Sequence, residues 1–213
     1  MMKRILYICL FLSAMLLQAE ARTPMRNWLI TMPDSVLPLL TKNNHLDFID
    51  FFDAKMEGIV SNRMDGKSRM DTLTDDYVLV NYTKTTDVAM RLLPVNDTAD
   101  VLCMVTTVKA PLKDSRIAFF DAQWQPLNAA SYIHEPSVED FRSTLQGDSA
   151  LWAWSRLDIF SRTYHLYAEN RELKCVLTAT DLLSEEDKQA VKPYVHQEPI
   201  TYRWTEGKFV CNE

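Results

Sequence analysis

The sequence predicts an α+β fold in which helices pack on antiparallel sheets. Three observations carry this. Apolar and polar residues alternate in many short segments between Tyr77 and Leu127, and again between Leu151 and Cys211. Other segments place apolar residues at helical spacing behind good capping residues. The links between strand segments are a few residues long, enough for hairpins and too short for parallel crossovers.

The elements follow in order. Asp34 and Ser35 can cap a short helix through Val36, Leu37, Leu39 and Leu40, with Pro38 limiting its length. Asn43 and Asn44 can cap a second helix from His45 to Ile59. Its apolar face holds Phe48, Ile49, Phe52 and Met56, and Asp47, Asp50, Asp53 and Glu57 form a charged back. Positions 62–74 read as a polar loop. Tyr77 to Lys84, Val88 to Leu93 and Val101 to Val108 read as strands. Arg116 to Asp121 and Trp124 to Leu127 read as a further hairpin. Pro136 and Ser137 open a helix carrying Val138, Phe141 and Leu145, ended by Gly147. Leu151 to Phe160, Thr163 to Ala168 and Leu173 to Thr180 read as strands. Ser184, with acids in the first turn behind it, starts a helix that runs to Tyr194. Ile200 to Trp204 and Lys208 to Cys211 close the chain as a hairpin around Glu206-Gly207.

A faint internal repeat divides the chain into two helix-plus-sheet units, 33–128 and 136–213. Leu102 to Thr107 echoes Lys174 to Ala179, and Asp47 to Phe52 echoes Asp140 to Leu145. In this reading Cys103 and Cys175 occupy matching strands, each facing the helix of its own unit. Both are expected to be buried thiols acting as small hydrophobes, with a Cys175–Cys211 bridge as the alternative.

The first 21 residues have the layout of a secretory signal peptide. Lys3 and Arg4 are positive, Ile5 to Leu17 is apolar, and Ala19-Glu20-Ala21 is a small-x-small cleavage site before Arg22. The apolar run is too short for a permanent anchor, and no later segment reaches membrane-spanning length. Export to the periplasm or beyond is expected, without a membrane span after cleavage. The chain has 23 basic and 29 acidic residues. The leader takes two of the former and one of the latter, so the mature balance is −7. That disfavours a nucleic-acid partner, whose phosphates need clustered Lys and Arg.

Catalytic signatures are weak. Gly58, Gly66, Gly147 and Gly207 are far apart, which excludes Gly-rich phosphate cradles and implies no cofactor. His45, His134, His165 and His196 lack the spacing of a helical metal site. Gly147-Asp148-Ser149 does not supply a nucleophile elbow. The acids of the 45–59 helix read as its solvated face. Aromatics are more suggestive. Trp152 with Trp154, and Tyr202 with Trp204, would each share a strand face as a stacking or protein-binding patch, unless that face is core.

Residues 28–44, Leu73 to Tyr77 and Phe119 to Leu127 resemble an uncharacterised exported family of Bacteroides-type bacteria. The resemblance spans nearly the whole mature chain and implies a cell-envelope location, but no catalytic residues. It also implies O-glycan acceptors at Asp-Ser/Thr-apolar triplets: Thr72 and Thr98 first, then Ser35 and Ser149. The expected function is a non-catalytic binding or envelope-assembly protein whose partner is an envelope protein or glycan. The alternative is an unusual hydrolase built from dispersed His and acidic residues.

Overall fold

In the computed structural model, residues 22–196 and 198–211 are described. The signal-peptide expectation falls on residues outside them. The described residues form four α-helices and two antiparallel sheets, an α+β fold.

Helix α1 (Met25–Thr31) buries Met25, Trp28 and Leu29, the i, i+3, i+4 set of one face. Helix α2 (Lys42–Asp53) begins at Thr41, not at Asn43. The Thr41 hydroxyl accepts from the Asn44 backbone N–H at 3.2 Å, and the Asn44 side chain accepts from the Thr41 N–H at 2.9 Å. The helix stops six residues short of Ile59. Lys55 takes a left-handed φ of 55° and turns the chain. Gly58–Ser61 is then strand β1, and Lys67–Leu73, expected as loop, is β2. Residues 34–40 form turns instead of a helix.

The first sheet continues through β3 (Tyr77–Thr83), β4 (Thr86–Pro94), β5 (Asp100–Val108), β6 (Asp114–Phe120) and the two-residue β7 (Pro126–Leu127). Its seven strands lie in sequence order. The second sheet contains β8 (Arg162–Leu166), β9 (Glu172–Leu177), β10 (Ile200–Thr205) and β11 (Lys208–Cys211), also a meander. Glu206 and Gly207, with φ of 51° and 78°, make the tight turn between β10 and β11.

The segment between the sheets departs most from expectation. The helical pattern at 138–145 yields only a 3-10 turn, Val138–Phe141. Gly147 begins an element instead of ending one. With φ of 97° it starts helix α3 (Asp148–Ser155). Trp152 and Trp154 therefore lie on a helix, where residues two apart point to different sides. Ala150 and Ala153 let that helix approach closely, and their burial outweighs the strand propensity of the tryptophans. Helix α4 (Glu185–Val191) starts as expected, with the Ser184 hydroxyl accepting from the Asp187 N–H at 3.1 Å.

The first sheet is covered differently on its two faces. Helices α1 and α2 pack on one, where Trp28, Leu40, Phe48, Val78, Val88 and Met90 share a cluster. The second sheet packs on the other, with Tyr77, Leu93, Cys103 and Phe119 against Tyr164, Leu173, Cys175 and Phe209. Cys103 and Cys175 thus belong to one shared cluster, and Cys103 does not face a helix of its own unit. Alternation along β5 sends Leu102 to the helices and Cys103 to the opposite sheet. No disulfide joins Cys103, Cys175 and Cys211.

Polar ties reinforce the sandwich. Arg91 on β4 is 4% exposed; it donates to the Tyr167 carbonyl and, at 2.9 Å, to Asp76. The Lys113 carbonyl accepts from Ser161 at 2.9 Å and Thr178 at 2.6 Å.

Candidate functional site

Helices α1 and α2 shield β1 to β4 and leave the same face of β5 and β6 partly open. A trough of about 610 Å³ lies there, within the range of ligand pockets. Strand alternation builds its floor. Met104 pairs with Ala118, Thr106 with Arg116 and Val108 with Asp114, all on one face. Ala118 is the smallest floor residue and makes the hollow. Ser35 and Val36 from the 34–40 turns form part of the wall.

The head of the trough is aromatic. The Trp124 indole sits 5.6 Å from Trp28 and 5.7 Å from Phe120, in edge-on and tilted contacts. Trp124 has φ of 60°, rare for a bulky side chain. Asp121 holds that conformation. Its carboxylate accepts from the N–H groups of Gln123 and Gln125, each at 2.9 Å, and its carbonyl accepts from the Trp124 N–H at 2.9 Å. The indole N–H donates to Thr31 at 3.3 Å.

Arg116 is exposed and forms no ion pair among the described residues. Asp114 accepts from the Ser161 hydroxyl at 3.0 Å and the Arg162 N–H at 3.3 Å, which ties it to the second sheet. Sequence reasoning missed this trough. The available signal was the mixed face of β6, where Arg116, Ala118 and Phe120 alternate with the fully apolar Ile117 and Phe119.

The aromatics singled out from sequence do not form a common platform. Tyr202 is 4% exposed, and its hydroxyl donates to the His134 carbonyl at 3.2 Å. Trp204 stacks on Tyr132 at 6.2 Å and donates to the Pro94 carbonyl at 2.7 Å. Tyr202 is core between the sheets, and Trp204 is a partly buried residue packed against that core. Trp154 donates to the Tyr194 carbonyl at 3.2 Å. Trp152 is 47% exposed beside Leu151 on the outer side of α3.

Of the glycan candidates, Thr98 is exposed in a tight turn whose N–H groups are held by Asn96. Ser35 is exposed at the trough, and Ser149 in the first turn of α3. Thr72, expected in a loop, is half-buried in β2 beside a register shift.

No salt bridge joins a histidine to a carboxylate among the described residues. His165 is bonded to Thr163 at 3.2 Å; partial burial and then Lys113 lower its pKa. His196 contacts the Glu198 carbonyl at 3.0 Å. Among the described residues no group of three or more His, Cys, Asp or Glu side chains is placed to hold a metal ion. A polar cluster joins Glu135, Arg162 and Tyr164. Arg162 reaches Glu135 at 2.5 Å and Tyr164 at 2.9 Å, and Tyr164 donates to Glu135 at 3.1 Å. Burial raises the Tyr164 pKa, so its phenol stays neutral and serves as a latch. No described helix is long and apolar enough to cross a membrane.

A solved domain of an uncharacterized protein from Porphyromonas gingivalis W83 is similar, with a TM-score of 0.80 and 28% sequence identity. The match covers 88% of this chain and 98% of that one. No curated protein matches. A family model described as "Protein of unknown function (DUF3256)" matches residues 16–209. The chain accordingly belongs to the DUF3256 family.

Proposed function

We propose that this protein is an exported, non-catalytic binding module of the cell envelope that holds an apolar part of its partner in the β5–β6 trough. The observation that carries this reading is the half-open sheet face, where Met104, Ala118 and Phe120 remain half-buried under no covering element among the described residues. A concave apolar surface with a few placed polar groups is the usual form of a binding site. The test uses N-phenyl-1-naphthylamine, an uncharged apolar fluorophore. It should brighten on binding to the protein and lose that signal in a folded Ala118→Leu variant, which fills the hollow. Absence of binding, or binding indifferent to the substitution, contradicts the reading.

Export rests on the first 21 residues and is supported by the resemblance to a domain from a bacterium of the expected kind. Glycan attachment rests on the Asp-Ser/Thr-apolar triplets, with Thr98 the most accessible. Mass spectrometry of protein from its native host reads both. An N-terminus at Arg22 and added hexose at Thr98 are expected. Retained Met1 removes export, and unmodified peptides at Thr98, Ser35, Ser149 and Thr72 remove the glycan.

A further inference from the structure

We infer that the trough takes an extended peptide with the pattern apolar-x-apolar-x-acid. This rests on the proposed trough function and names its ligand class.

Shape is the first argument. The floor runs along β6 from Phe120 to Asp114. Six strand steps span about 20 Å at 3.3–3.4 Å each. An extended peptide has the same rise per residue, and every second side chain points to one side. Such a chain follows a floor laid along one strand better than a compact ligand does.

Chemistry along the floor sets the pattern. At the head, Phe120 and Trp124 offer apolar contact. Two residues on, Ala118 leaves a hollow beside Met104 that suits the largest apolar side chain. Two further on, Arg116 presents a guanidinium with no ion partner among the described residues. A side chain above Arg116 lies about 13 Å from one above Phe120, four residues along an extended chain.

Charge complementarity sets the sign. Asp114, the nearest acid on the floor, is bonded to Ser161 and to the Arg162 N–H. Both donors are uncharged, so Asp114 keeps its charge at the foot of the trough, and Arg116 is the one cation among the described residues that line it. A carboxylate is its natural partner.

The test titrates the purified protein with acetyl-Leu-Ser-Phe-Ser-Glu-Ser-amide and with the same peptide in reversed order, since either strand direction fits. Displacement of N-phenyl-1-naphthylamine reads the binding. Matched peptides replace Glu by Gln or Lys. The Glu peptide of one direction should bind about two- to fivefold more tightly than its Gln form, the span of an exposed ion pair. Arg116→Glu, at an exposed position that should not disturb folding, should invert the order so that the Lys peptide binds best. An unchanged order in that variant overturns the inference. So does displacement by dodecanoate but by no peptide, and that result leaves the trough function standing. If the fluorophore itself does not bind, the trough function fails as well.

Discussion

His45 sits in the second turn of α2 and is 1% exposed; neither ring nitrogen has a hydrogen-bond partner. Burial lowers its pKa below the usual 6.5, and Asp34 opposes this only in part. The folded protein therefore holds a neutral imidazole, whereas the unfolded chain protonates it near pH 6.5. Below that pH the unfolded chain binds more protons. Stability is full above about 6.5 and falls as the pH drops. One group gives a slope of at most about 1.4 kcal/mol per pH unit. Between pH 6.5 and 5.5 the loss is thus up to about 1 kcal/mol, because the unfolded imidazole is already half protonated at 6.5. His165, also lowered, adds slope of the same sign, so His45→Leu must be compared with the parent. Asp53, Asp140 and Asp187 are lowered by bonds to Arg26, Ser137 and Arg156 and act only below the carboxylate range near pH 4. Urea unfolding at pH 5.5, 6.5 and 7.5 reads the effect. His45→Leu should flatten the dependence and hold or raise stability at pH 7.5, because it removes a desolvation cost of about 1–3 kcal/mol. An identical slope in parent and variant would mean that His45 is not held neutral by burial.

Phe48→Ala and Phe141→Ala, both at sites 1% exposed, should each cost about 3–5 kcal/mol in chemical unfolding. Phe52→Ala and Leu145→Ala, at exposed sites, should stay near 0.5 kcal/mol. Burial pushes the Cys175 thiol up to about 12 and raises that of Cys103, so both should resist a thiol reagent until unfolding, while exposed Cys211 reacts first. Arg91→Met should cost about 1–3 kcal/mol, because the Tyr167 carbonyl loses its donor while the part-exposed Asp76 turns to water. Equal stability there would deny that Arg91 clamps the two sheets.

Much of the fold was legible because its strands follow period-two alternation between short turns. β3 to β6 and β8 to β11 lie within a few residues of their expected places, and Ser184 capped α4 as its sequence suggests. The misses have physical causes. Met56 and Ile59 continue the helical spacing of α2, but Lys55 adopts a left-handed conformation and the chain leaves as β1. Leu151 to Trp154 has strand-forming aromatics, yet two alanines that pack closely make it helical. Helix α1 is only seven residues long and ends in a β-branched Thr, so local pattern says little and tertiary burial decides. The trough was illegible for another reason. A half-open sheet face depends on which strands the helices cover, and no local pattern records that.

Binding in the β5–β6 trough is tested by a methyl NMR titration with N-phenyl-1-naphthylamine. The methyl signals of Met104, Ala118 and Val108 should move together on the trough floor, while those of Leu145 and Leu151, exposed on and just before α3, stay in place. Movement at Leu145 and Leu151 with a silent trough floor would contradict trough binding and place the binding surface on α3.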